Sequence, residues 1–158
     1  MLTNVLVLPL DRPQHRILLG LKKTGFGAGK YVGFGGKLEP GETLVMAAIR
    51  ELWEESHLAA KPHNLWYAAR LEFVFPASPD WNRLVHVFRL EFWDGEPEES
   101  SEIRPQWFGL DTLPLDQMWA DVPYWLPQVL QGVRPMLRIT YNQDSRTVGL
   151  VEALEQNQ

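Results

Sequence analysis

The chain has 158 residues, no cysteine and a formal net charge of −5, with 45% hydrophobic residues that include seven Trp and seven Phe. That length suits one domain spanning 1–158, with a core large enough to need no staples. The missing cysteines exclude disulfides, thiolate metal sites and a Cys nucleophile, and the negative charge argues against polymeric nucleic acid, which needs a broad basic face.

No apolar run approaches the roughly 20 residues of a bilayer span. The start, Met-Leu-Thr-Asn, has no basic region before an apolar stretch. A cytoplasmic protein without a membrane partner is therefore expected. In chain order, Val5–Leu8 and Arg16–Leu21 read as strands around an Asp11-Arg-Pro-Gln turn. A glycine-rich stretch, 24–36, follows. Thr43–Ser56 lacks Gly and Pro and has helical periodicity. Leu71–Phe75, Leu84–Phe92 and Gln106–Leu110 read as strands, and Asp94–Glu102 as an acidic loop. Val122–Gln131 predicts a second helix, with Pro123 near its start and Pro127 expected to kink it or delay its start. Met136–Tyr141 and Thr147–Val151 flank Asn142-Gln-Asp-Ser as a closing hairpin. This order predicts an α/β (α+β) fold, a mixed β-sheet sandwiched between helices.

On the first predicted helix, Glu51, Glu54 and Glu55 share an arc of roughly 100° at 3.6 residues per turn. They flank an apolar stripe made by Leu44, Val45, Ala48, Ile49, Leu52 and Trp53. Like charges four residues apart destabilise a helix by roughly 0.2–0.5 kcal/mol, and the dipole disfavours acids near the C-terminus. Such a face is either plain solvated surface or a site for a hard divalent cation. Arg50 stands four residues from Glu54, in position to orient it. Lys22, Lys23, Lys30 and Lys37, interleaved with glycines, read as a small anion site. Neither Gly29-Lys30 nor Gly36-Lys37 completes a P-loop, and G-x-G-x-x-G is absent from the glycine run.

Gly36, five residues, Glu42, seven residues, Arg50-Glu51-Leu52-Trp53-Glu54-Glu55, one residue, His57-Leu58 resembles the Nudix box. Every fixed position matches except the second glycine, which is His57. His tolerates the left-handed conformation better than most residues, so a small stability cost and an intact site are expected. Leu21-Lys-Lys-Thr-Gly-Phe-Gly-Ala-Gly-Lys-Tyr-Val-Gly-Phe-Gly-Gly-Lys37, Glu102-Ile-Arg-Pro-Gln-Trp-Phe108 and Met118-Trp-Ala-Asp-Val-Pro-Tyr-Trp-Leu-Pro127 resemble the mammalian branch of MutT-like enzymes, the oxidised purine nucleoside triphosphatases. The resemblance runs from about Thr3 to Gln131.

The resemblance implies the Nudix fold and hydrolysis of a nucleoside triphosphate, 8-oxo-dGTP first, to monophosphate and pyrophosphate. It implies Mg²⁺, with Mn²⁺ as an alternative, held by Glu51, Glu54 and Glu55, by the carbonyl of Gly36 and by Glu102, which serves as ligand or base. Arg50 joins the catalytic set, and Lys37 supplies charge for phosphate. Trp119 matches the purine stack, Asp121 an acid at the purine edge, Phe73 an aromatic of the wall, and Thr3 and Lys22 further pocket residues. Two positions depart: Val32 stands where the family has an Asn, and Val122 where it has a second acid. Both delete polar groups that read a base. The resemblance therefore leaves open another nucleotide, such as ADP-ribose or a dinucleoside polyphosphate, and a non-catalytic nucleotide-binding module. It leaves the oligomeric state undetermined.

Overall fold

The computed structural model describes residues 1–155. Among them lie strands β1 (Leu2–Asp11), β2 (Arg16–Lys22), β3 (Tyr31–Val32), β4 (Phe34–Lys37), β5 (Leu65–Val74), β6 (Arg83–Leu90), β7 (Ile103–Gly109), β8 (Met136–Tyr141) and β9 (Val148–Ala153). Two α-helices, α1 (Leu44–Ser56) and α2 (Val122–Leu130), complete the regular structure with three short 3₁₀ turns.

β1 is the organising strand. It runs parallel to β6 from Leu2 to Pro9, while its other edge pairs first with β4 and then, at Leu10 and Asp11, with β2. The sheet follows the order β3-β2-β1-β6-β5-β8-β9, with β4 on β1 and β7 on β2. Alternation along β1 splits the core. Val5 and Val7 join Ala47, Ala48 and Leu52 of α1. Leu8 and Leu10 join Trp125, Leu126 and Val129 of α2. The mixed sheet thus lies between two helices, as the element order predicts.

Several boundaries differ from the sequence reading, each for a local reason. β5 begins at Leu65 rather than Leu71, because an irregularity between Tyr67 and Ala69 breaks the period-two pattern. β7 begins at Ile103 rather than Gln106: Pro105 hides its first half, yet proline is tolerated at a sheet edge. β3 and β4 come from glycine-rich sequence with little strand propensity. Gly35 is forced there, since a Cβ would sit 1.9 Å from the Val5 carbonyl oxygen. α2 starts at Val122 without delay and runs through Pro127. The buried side chains Trp125, Leu126 and Val129 anchor it across the lost hydrogen bond.

α1 begins at Thr43, whose hydroxyl accepts from the Met46 N–H at 3.1 Å. It ends at His57 in the left-handed region (φ 62°), whose N–H donates to the Trp53 carbonyl. Its buried side is rotated from the predicted stripe. Ala47, Ala48, Leu52 and Ser56 face inward, whereas Trp53 is 52% exposed. That rotation turns Glu51 and Glu55 toward the sheet.

Candidate active site

The acidic face of α1 is wired to Arg50. Its Nε and Nη2 donate to Glu42 at 2.7 and 2.9 Å, and Nη1 donates to Glu51 at 2.8 Å and to Glu54 at 3.4 Å. Nη2 also donates to the Lys37 carbonyl at 3.1 Å, tying α1 to the end of β4. The expected Arg50–Glu54 pair exists, but Glu42 is the main partner. Bidentate geometry explains that choice, because two parallel N–H···O bonds fit one carboxylate. The Arg50 hydrogen bonds hold the Glu42 carboxyl down at about 2.

Glu51 and Glu55 both shift the other way, upward. Burial raises Glu51 against the pull of Arg50, with Glu54 and Glu102 adding repulsion. Burial pushes Glu55 up to about 8, with help from Glu51 and Glu102, although the Gly35 N–H donates to its Oε1 at 2.8 Å. Desolvation therefore outweighs the mutual crowding that the sequence suggests. Glu54 stays 55% exposed, against 14% for Glu51. Glu102, on the exposed loop before β7, lies near enough to act on both buried carboxyls.

Among the described residues no three His, Cys, Asp or Glu side chains converge as a ready-made metal cluster. Glu51 is turned to Arg50 and Glu55 to Gly35, so a cation would compete with these donors. The donor set nonetheless fits a hard divalent ion. Two desolvated carboxyls with raised pKa gain most from a nearby cation. Gly36 leaves room beside them, for a Cβ there would meet the Glu51 carboxylate at 2.6–2.8 Å.

From Glu55 and Gly36 a cavity of about 220 Å³ runs under α2. It is smaller than the roughly 300–1,000 Å³ of pockets for drug-sized ligands, which suits a planar ring better than a whole nucleotide. Lys22, Val32, Phe73, Trp119, Asp121 and Val122 line it, so most of the predicted pocket residues meet there. Thr3 and Lys37 do not line it. Strand alternation places Thr3 with Val5, on the α1 side, and the Lys37 side chain is exposed. The lysine cluster divides likewise. Lys23 pairs with Glu99 and donates to the Ser100 carbonyl, Lys30 sits 5.2 Å over the Trp119 ring, and only Lys22 of the four lines the cavity.

Trp119 stacks on Phe26 at 5.0 Å, and Trp81 meets Phe26 edge-on at 4.8 Å. Gly27 permits this. Its φ is +83°, and a Cβ would lie 3.2 Å from the Trp119 indole nitrogen. Asp121 is 5% exposed. Tyr141 donates its hydroxyl to Asp121 Oδ1 and accepts from the Asp121 N–H at 3.1 Å; Trp125 donates to Oδ2 at 2.7 Å. Burial raises the Asp121 pKa despite these donors. Residues not singled out from sequence are Asn4, Phe26, Trp81, Arg83 and Tyr141. Asn4 carried a signal, a polar residue in step with Leu6 and Leu8. An aromatic within a glycine run marked Phe26.

The NUDIX domain family matches residues 2–129. The chain is 48% identical over 132 residues to the oxidized purine nucleoside triphosphate hydrolase of Danio rerio, covering 84% of this chain and 83% of that protein. It is 48% identical over 129 residues to the Mus musculus protein of the same name, covering 82% and 78%. The fold superposes on a crystal structure of the mutator MutT protein of Bacillus halodurans with a TM-score of 0.79. At 20% identity, that match covers 96% of this chain and 97% of the other.

Proposed function

This chain belongs to the Nudix family of hydrolases, and from that premise we propose that it cleaves purine nucleoside triphosphates, 8-oxo-dGTP first, to nucleoside monophosphate and pyrophosphate. One observation carries the reading: a single cavity joins the Trp119–Phe73–Asp121 wall to Glu55 and Gly36. A base held at one end places its phosphates at the other. The names of the two vertebrate relatives support the choice of substrate.

In this reading Trp119 and Phe73 hold the purine ring, Asp121 contacts its edge, and Lys22 faces the phosphates. Glu51, Glu54, Glu55, Glu102 and the Gly36 carbonyl would hold Mg²⁺, with Mn²⁺ serving in its place. Such an ion neutralises phosphate oxygens and the charge that develops on the leaving group. Arg50 keeps Glu51 and Glu54 oriented through the bonds it donates. Water attacks phosphorus while a free carboxylate of the glutamate set takes its proton, the phosphoanhydride P–O bond breaks, and pyrophosphate leaves; no covalent intermediate is needed. The chain acts as one domain on a small nucleotide of the cytoplasmic pool rather than on polymeric nucleic acid, for which its net charge of −5 leaves no broad basic face. No helix among the described residues is long and apolar enough to cross a membrane.

Val32 and Val122, both on the cavity wall, favour a second reading in which another nucleotide is preferred. Pyrophosphate and monophosphate release with Mg²⁺ over normal and oxidised nucleotides, ADP-ribose and dinucleoside polyphosphates decides between them. The highest kcat/KM for an oxidised purine triphosphate is expected, and turnover of no compound would sink both readings.

A further inference from the structure

We propose that Asn4 is a specificity-determining residue of this pocket, its side-chain amide reading the donor–acceptor edge of the bound purine. The inference rests on the proposed nucleotide hydrolysis and names the group that selects the base. Asn4 lies on β1, between Lys37 of β4 and Val85 of β6. It shares a face with Leu6 and Leu8, and all three line the cavity. Its Oδ1 is the one buried side-chain oxygen or nitrogen among the described residues with no hydrogen-bond partner.

Nothing about the strand asks for this residue. Asn is depleted in strands, and this position belongs to an apolar face. Packing alone would favour a leucine of similar shape. A buried polar atom without a partner carries its desolvation cost with no return, and such atoms are rare enough to need an explanation. A ligand edge supplies one. An amide offers a donor and an acceptor side by side, and rotation about its last torsion exchanges them. That pair matches a purine edge that itself carries a neighbouring donor and acceptor. The need is clear from the wall around it, where Val32 and Val122 offer no polar side-chain atom and Asp121, each of whose oxygens already accepts from Tyr141 or Trp125, has only a second acceptor site per oxygen to spare.

Asn4→Leu keeps the shape and removes the amide. Calorimetry without metal, using 8-oxo-dGMP and a purine nucleoside monophosphate lacking exocyclic groups, gives a binding ratio for each protein. In the parent, 8-oxo-dGMP should bind more tightly. In Asn4→Leu that ratio should shrink by about 10-fold to 100-fold, the range expected for loss of a paired base contact. The Tm should hold or rise, because the orphan oxygen is gone. An unchanged ratio overturns the inference, and a lower Tm with that ratio unchanged makes Asn4 a structural residue. Pyrophosphate release by the parent, measured on the same preparation, judges the hydrolase reading separately. Its failure leaves the binding ratio to decide on Asn4 alone.

Discussion

Around Arg50, carboxylates of Glu39, Glu42, Glu51 and Glu54 lie within 2.7–3.8 Å of one guanidinium. Around Trp119, by contrast, the cavity wall is aromatic and aliphatic, with few polar groups. The first region is charged and restrained by bonds within the chain. The second is desolvated, and its Asn4 oxygen has no partner. Positioned charge suits bond-breaking on phosphate, where preorganised groups act on developing charge. An apolar slot with sparse polar groups suits discrimination, because a wrong edge there leaves a group unpaired. The charged face of α1 meets the cavity at Glu55, and the two ends of this site should therefore fail differently when damaged.

The largest effect tests the charged end. Glu54→Gln removes a carboxylate charge from an exposed position where folding is little affected. A fall in kcat of about 10² or more is expected, with KM changed far less. An unchanged kcat would break the division, since the acidic face would then be ordinary surface. Trp119→Ala tests the other end and should show the opposite split. Loss of a base stack is worth roughly 1–3 kcal/mol, so KM should rise by about 10-fold or more while kcat stays within a few-fold. A kcat loss as large as that of Glu54→Gln would show that base and phosphates are not held independently.

The charged end was legible in sequence because its parts lie on one helix at fixed spacing. Arg50, Glu51, Glu54 and Glu55 needed only a helical period to be placed together. What spacing could not give was rotation: α1 buries Ala47 and Ser56 and exposes Trp53, which carries Glu51 and Glu55 inward. Nor could it show that Arg50 prefers Glu42, eight residues back across the helix start. The cavity was legible only where a family resemblance pointed, at Trp119, Asp121, Phe73, Lys22 and Val32. Its remaining wall comes from separate segments that meet through sheet register. Asn4 reaches it through β1, Leu71 through β5 and Arg83 through β6, with no local pattern linking them. Thr3 shows the converse, since one step along β1 puts it on the far face from Asn4.

A smaller effect comes from the proton that burial keeps on Glu55. Its folded pKa of about 8 exceeds the ordinary 4.5. The folded chain therefore holds more protons than the unfolded chain between those values. Stability of the protein with metal chelated should decline as pH rises from about 4.5 to 8 and level off above. Glu51 and Asp121, also raised by burial, add to the decline, while His86, lowered by burial, opposes it below its ordinary 6.5. Glu42, held down at about 2, acts only below this window, losing its contribution as pH falls. Glu55→Gln should flatten the decline in Tm against pH, leaving the part due to Glu51 and Asp121. A slope identical to the parent would mean that Glu55 is ionised and solvated, which would weaken its place at the junction of the two ends.

The smallest effect concerns the place where the box departs from its pattern. His57 closes α1 at φ 62°. Its ring pairs with Glu98 and lies 5.0 Å from that of Trp53, on an exposed surface away from the cavity. A residue with Cβ in this conformation costs roughly 1–2 kcal/mol. Glycine removes that strain but gives back roughly 0.5–1 kcal/mol of chain entropy. The lost exposed contact with Glu98 gives back at most about 1 kcal/mol more. His57→Gly should therefore shift stability by only about −1 to +1.5 kcal/mol in denaturant titration, with kcat and KM unchanged. This outcome sharpens the division, because the helix end would serve only to hold the carboxylates in place. A drop in kcat would instead extend the charged end by one turn beyond Glu55 and make His57 part of it.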